Sequence, residues 1–182
     1  MPRMSTFLIV LLLIATAQLF GQPLKTDAGE GGWKAMQTLA GEWVGEGGGQ
    51  PGQARRGGFS FTPDLQGVVL VRKSFAEYPA SQTRPAFRHD DLTVVYRTAP
   101  GSAPRATYFD NEGHVIEYEV SASSDGSRIE WLSSPQLGQP RFRLTYTLTS
   151  PDALKLRFEI APPDQPEKFS LYLEASARRT HP

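Results

Sequence analysis

Cysteine is absent from all 182 residues. That excludes disulfides, thiolate zinc sites, iron–sulfur clusters and thiol nucleophiles together. Net charge is absent as well, since 19 Lys and Arg balance 19 Asp and Glu. No lysine-rich block restores a local surplus, so the electrostatic footprint of a nucleic-acid binder is missing. The composition of a disordered chain is missing too: 39% of residues are hydrophobic, 10% aromatic and 21% charged, too apolar and too balanced for one. A chain of this length fits a single domain and buries roughly 70% of the surface its unfolded form exposes.

The one long apolar run is N-terminal. Arg3 gives a short basic start, residues 7–14 are unbroken apolar, and Ala15-Thr16-Ala17 supplies the small-x-small pattern that signal peptidase accepts. The run is short of the ~20 residues a membrane span requires. Residues 1–17 therefore read as a signal peptide, with cleavage after Ala17 or near Gly21, and residues 18–32 as a flexible tether. With Arg3 removed, 18 bases face 19 acids and the mature charge is −1. The chain is expected to be exported, periplasmic or secreted, with no membrane span after cleavage. Without cysteine it cannot be a lipoprotein.

Residues 33–180 read as one β domain. Trp33, Met36 and Ala40 fall at i, i+3 and i+7, with Gly41 placed to stop a helix of about two turns. Beyond it the apolar runs are short, aromatic and β-branched. Strands are expected near 42–47, 57–62, 67–75, 91–98, 104–110, 114–122, 127–133, 140–149, 153–161 and 168–178. Ser124-Asp125-Gly126-Ser127, Asp110-Asn111-Glu112-Gly113 and Ser150-Pro151-Asp152 mark compact turns. Residues 45–58 are glycine-rich, and 76–90 read as a long loop. Sequential hairpins of this kind build an up-and-down antiparallel sheet, and ten strands are best closed into a barrel.

Alternation assigns the faces. Phe142, Leu144, Tyr146 and Leu148 share one side of their strand, as do Leu154, Leu156, Phe158 and Ile160, and Phe169, Leu171, Leu173 and Ala175. Such a barrel is either filled by these side chains or encloses a ligand.

Leu39-Ala40-Gly41-Glu42-Trp43-Val44-Gly45 resembles the opening of the calycin barrels, which include lipocalins, fatty-acid-binding proteins and nitrobindins. In lipocalins a Gly-x-Trp follows a short helix, and a late basic residue packs over the tryptophan. The resemblance implies that role for Trp43 and for Arg178 or Arg179, a cation–π contact of roughly 0.5–2 kcal/mol that ties the barrel's ends together. Lipocalins, however, have eight strands and a C-terminal helix. Ten strands, the glycine-rich string 41–47 and the closing segment 171–179 look more like nitrobindins. The segment 108–116 looks like exported bacterial relatives of these barrels. In nitrobindins a histidine of the last strand ligates haem iron, and the matching position here is Tyr172. That resemblance turns Tyr172, Glu174 and Ser176 inward. Alternation turns Leu171 and Leu173 inward instead, and the apolar phase of neighbouring strands favours alternation.

Chemistry-bearing residues are sparse. His89-Asp90-Asp91 and Asp110-Glu112-His114 read as solvated polar segments rather than metal sites, and His181 is penultimate. No Gly-x-Ser-x-Gly elbow occurs, and Gly45-Glu46-Gly47-Gly48-Gly49 lacks the Lys-Ser/Thr of a phosphate loop. No catalytic residue, metal or cofactor is assigned, and binding is favoured over catalysis. Arg141, Arg143 and Arg157 would be carboxylate partners, but strand phase turns them outward. Tyr96, Tyr108, Tyr118, Tyr146, Tyr172 and Trp131 place apolar bodies with polar tips along strands, which suits either a ligand pocket or a plugged core. Tyr96, Tyr118, Trp131, Tyr146 and Tyr172 are the candidate ligand-binding residues, with a small apolar molecule as the partner. The expected function is non-catalytic binding of a small hydrophobic or amphipathic ligand. The alternatives are a haem or nitric-oxide barrel, as the nitrobindin resemblance implies, and a filled structural module.

Overall fold

In the computed structural model residues 28–46 and 54–180 are described; the signal segment, its expected cleavage site and His181 lie outside them. Helix α1 (Ala28–Thr38) starts ahead of Trp33, within the segment read as a tether. Trp33, Met36 and Leu39 are buried against the barrel. The amides of Leu39 and Ala40 reach back to the carbonyls of Met36 and Gln37 and tighten the helix end. Gly41 then takes φ +121°, and a Cβ there would meet Arg179 Nη1 at 2.8 Å. Both the turn and that close approach require glycine.

Ten strands follow: β1 (Gly41–Glu46), β2 (Arg56–Asp64), β3 (Val69–Tyr78), β4 (Phe87–Tyr96), β5 (Arg105–Asp110), β6 (Val115–Ala122), β7 (Arg128–Ser133), β8 (Arg141–Ser150), β9 (Ala153–Ala161) and β10 (Ser170–Thr180). Each pairs antiparallel with the next, and β1 also pairs with β10, so the sheet closes into an all-β, up-and-down barrel. Closure leaves no strand edge to pair with another chain. Among the described residues no helix is long and apolar enough to cross a membrane.

Two local expectations are corrected. The 76–90 segment is not one long loop: β3 and β4 pair in register from Leu70↔Val95 to Tyr78↔Phe87, leaving only residues 79–86 between them. Tyr78 and Phe87 stack at 5.7 Å with the Arg84 guanidinium over both rings, which holds the hairpin together despite its polar sequence. In β10 the register shifts between Leu171 and Leu173. Leu171 pairs with the outward Glu159 and is exposed, while Leu173 pairs with Phe158 and faces inward. Phe169 lies outside beneath Arg143, 4.2 Å from its guanidinium. The bulge breaks the expected Phe169-Leu171-Leu173-Ala175 face, because an extra residue reverses the phase on one side of it. Glu174 pairs with Arg157 and Ser176 with Lys155, so neither shares the inner face implied by the nitrobindin resemblance.

Closure at the first strand has the expected partners. Trp43 is 1% exposed, and its indole N–H donates to Leu39 O at 2.9 Å. The guanidinium of Arg179 lies 4.4 Å over the indole ring. Arg179 also donates to the carbonyls of Thr38, Ala40 and Pro151 and pairs with Asp152 at 3.3 Å. Arg178 points the other way, onto Glu46 at the surface. Of the two arginines, Arg179 is the one on the tryptophan.

Candidate ligand site in the barrel lumen

Paired residues of an antiparallel ladder share a face, so the register defines the interior. At the end covered by α1 the inward residues Trp43, Phe61, Leu70, Val95, Ala106, Tyr118, Val120, Ile129, Trp131, Tyr146, Leu154 and Ala177 are all buried. Toward the other end the inward apolar residues Phe142, Leu144, Leu156, Phe158 and Leu173 are only half-buried, while Arg72 and Thr93 stay buried. The interior is therefore tightly packed under α1 and accessible to solvent toward the other mouth.

The open half has two unlike walls. On β8, β9 and β10 it is apolar, with Phe142, Leu144, Leu156, Phe158 and Leu173. Phe142 and Phe158 stack at 5.9 Å, and Tyr172 sets its ring edge-on to Phe158 at 6.0 Å. On β3, β4 and β5 the wall is polar, with Arg72, Ser74, His89, Asp91, Thr93, Tyr108 and Asp110 on the inner face.

Arg72 and Asp91 form a salt bridge within the lumen, their side chains 8% and 7% exposed. Burial alone would lower the Arg72 pKa, but the adjacent Asp91 carboxylate together with Tyr146 and Tyr108 outweighs it and holds the guanidinium above its ordinary value. The Arg72 guanidinium also lies 5.3 Å over Phe59. Nearer the mouth, the His89 ring contacts Glu112 Oε1 at 2.7 Å through Nδ1 and the Tyr108 hydroxyl at 3.1 Å through Nε2. Tyr108 donates to Asp110 Oδ2, which also contacts His114 Nδ1 at 2.8 Å. Burial would raise the Asp110 carboxyl, but the backbone and ring of His114, the Tyr108 hydroxyl and the Glu112 amide hold it below the usual range. Burial, with Asp91 and Asp110 close by, pushes the Tyr108 phenol far up. Burial likewise takes the Tyr146 phenol up to about 12.

The floor of the open half has an unusual property. Arg72 Nε, Thr93 Oγ1, Trp131 Nε1 and the Tyr146 hydroxyl are buried and make no hydrogen bond of good geometry within the protein, although the Tyr146 hydroxyl lies close enough to the Arg72 guanidinium for each to shift the other's ionisation. They belong to one neighbourhood: Trp131 and Tyr146 lie 5.7 Å apart, Tyr146 and Arg72 both contact the Phe59 ring, and Thr93 pairs with Arg72. The fifth such atom, Thr145 Oγ1, is on the outer face of β8. An unpaired buried polar group costs about 1–3 kcal/mol, so four in one neighbourhood call for a partner from outside the protein, a water or a ligand.

The structure brings Tyr118, Trp131 and Tyr146 together at this floor, with Tyr118 and Trp131 5.9 Å apart. Tyr172 is separate, half-exposed at the mouth. Tyr96 pairs with Arg105 on the outer face and does not join them. Arg141, Arg143 and Arg157 are outward as expected. Arg143 holds Glu159 through two bonds of 2.9 and 3.0 Å, and Arg157 pairs with Glu159 and Glu174. The polar wall went unforeseen. Arg72 was hidden because Lys73 beside it charges both faces of β3 alike. His89 and Asp91 read as part of a solvated segment, and the structure corrects this: β4 starts at Phe87, so these two alternate residues share the inner face. No group of three or more His, Asp or Glu among the described residues could hold a metal. A shallow concavity of about 710 Å³ lies on the outer face of β1 to β5, over Val44, Phe75, Leu92 and Phe109, away from the unpaired floor atoms.

No family model matches the chain, and no curated protein sequence does. Among solved structures, the crystal structure of Rv2717c from M. tuberculosis resembles it with a TM-score of 0.60, at 15% identity, over 82% of this chain and 98% of that one. That likeness is one of fold: a barrel of the same architecture.

Proposed function

We propose that this protein is an exported, non-catalytic binding barrel that holds one small amphipathic molecule in the open half of its lumen. The carrying observation is the set of unpaired buried polar atoms on Arg72, Thr93, Trp131 and Tyr146, facing an apolar wall of Phe142, Leu144, Leu156, Phe158 and Leu173. A pocket with a mostly apolar lining and a few convergent polar groups is what such a ligand needs. The signal-like N-terminus supports export, and the Gly41-Glu42-Trp43 opening with Arg179 over Trp43 supports a calycin-like relationship. The filled-module reading loses ground to the half-buried inward residues. The haem reading has no comparable support: Tyr172 stands half-exposed in a bulge against Phe158, and both ring nitrogens of His89 are engaged by Glu112 and Tyr108.

Titration with the neutral apolar dye Nile red tests the reading. Saturable binding of one dye per chain is expected. Ala175→Trp, which puts an indole into the lumen beside Leu156, should abolish it while the far-ultraviolet circular dichroism stays β-type. No saturable binding, or equal binding to the filled variant, would contradict the proposal.

A further inference from the structure

The polar end of the lumen carries information about the ligand's charge, and this step rests on the binding reading above. Arg72 is the only inward arginine or lysine on the polar wall among the described residues, Asp91 already neutralises it at contact distance, and the inward His89 ring is taken up by Glu112 at 2.7 Å and faces Asp91 at 3.8 Å. Asp110, 3% exposed, adds a further carboxylate to the same wall, paired with His114 at its rim. A ligand carboxylate entering here would meet Asp91 and Asp110 with no unmatched cation to receive it, in surroundings where water screens little.

What remains unmatched is uncharged in effect. The free groups at the floor are the N–H of Arg72 Nε, the indole N–H of Trp131 and the hydroxyls of Thr93 and Tyr146. The first two only donate, and the hydroxyls both donate and accept. They call for an oxygen acceptor without a full negative charge. We propose that the lumen selects an uncharged amphiphile, whose polar end is a carbonyl or hydroxyl oxygen, over the carboxylate of the same chain length.

Decanamide and decanoate at neutral pH form a matched pair for the test, competed against Nile red on the full chain. Wild-type protein should bind decanamide about tenfold or more tightly than decanoate, since an unmatched buried charge is penalised more than a neutral group. Asp91→Asn keeps the side-chain volume and frees the Arg72 charge, so decanoate should gain about tenfold while decanamide changes by less than about threefold. Tyr146→Phe keeps the ring and leaves the Arg72–Asp91 bridge in place, while removing a hydroxyl that lies beside the Arg72 guanidinium. It should weaken decanamide by about tenfold without loss of thermal stability, which a merely structural hydroxyl would not do. Equal or tighter binding of decanoate by wild type overturns the inference, as does an Asp91→Asn affinity for decanoate that stays put. An unmoved decanamide affinity in Tyr146→Phe overturns it even if Asp91→Asn does not fold. Nile red binding that neither compound displaces sinks the headgroup assignment and leaves the binding barrel standing. Failure of the dye as well removes both.

Discussion

At the scale of single residues, arginine carries most of what is distinctive. Two arginines are drawn in from solvent for different reasons: Arg179, partly buried, closes the barrel, and Arg72, buried, charges its interior. Arg179 gathers three backbone carbonyls, a carboxylate and an indole. Its replacement by Met should therefore destabilise the fold by about 2–3 kcal/mol, because charge-assisted hydrogen bonds are lost and acceptors left bare. Arg178→Met removes only a surface pair with Glu46 and should cost about 0–1 kcal/mol. Trp43→Ala, at 1% exposure, should cost about 3–5 kcal/mol. Urea denaturation of the three variants checks the order. Tyr146→Phe should leave the stability of the ligand-free protein within about 1 kcal/mol, since the buried hydroxyl lies beside the Arg72 guanidinium without a hydrogen bond of good geometry.

At the scale of elements, turns and register decide what alternation cannot. Strand number and order were legible because each hairpin carries its own turn chemistry: Gly113 and Gly126 take φ of +92° and +71° where their Asp-bearing turns need them. The inner faces of β8 and β9 were legible because Phe142 to Leu148 and Leu154 to Ile160 alternate without interruption. The face of β10 was not, since the bulge at Tyr172 leaves no local mark in Ser170-Leu171-Tyr172-Leu173 and is set by pairing with β9. The polar wall was not legible either, because inward charges look like surface charges until the partner strand supplies Asp91 to Arg72. The β6–β7 turn makes a prediction of its own. Hydrogen bonds from Ser123 and from the backbone and hydroxyl of Ser127 lower the Asp125 pKa to about 2. The Asp110 carboxyl and, through Arg143, that of Glu159 are lowered as well. Groups depressed on folding contribute stability above their unfolded pKa and lose it as pH falls through the folded value. The unfolding midpoint should thus hold steady above about pH 5 and fall between about pH 4 and 2. Asp125→Asn should make that fall shallower. A midpoint that rose on acidification would contradict this.

At the scale of the whole molecule, the barrel divides into a packed half under α1 and a solvent-accessible half with one polar and one apolar wall. The packed half supplies rigidity: Trp43, Phe59, Phe61, Trp131 and Tyr146 form a chain of ring contacts across the interior. The open half leaves its inward apolar residues half-buried and four polar atoms at its floor without a hydrogen bond of good geometry. Such a loss persists where function uses it. A crystal grown with decanamide measures this most directly. The account predicts one ligand per chain within the lumen, its oxygen within hydrogen-bond distance of the Arg72, Thr93, Trp131 or Tyr146 polar atoms and its tail along Phe142, Leu156 and Phe158. Decanamide bound instead in the outer concavity over Val44, Leu92 and Phe109, with the lumen filled by the protein's own side chains, would contradict it.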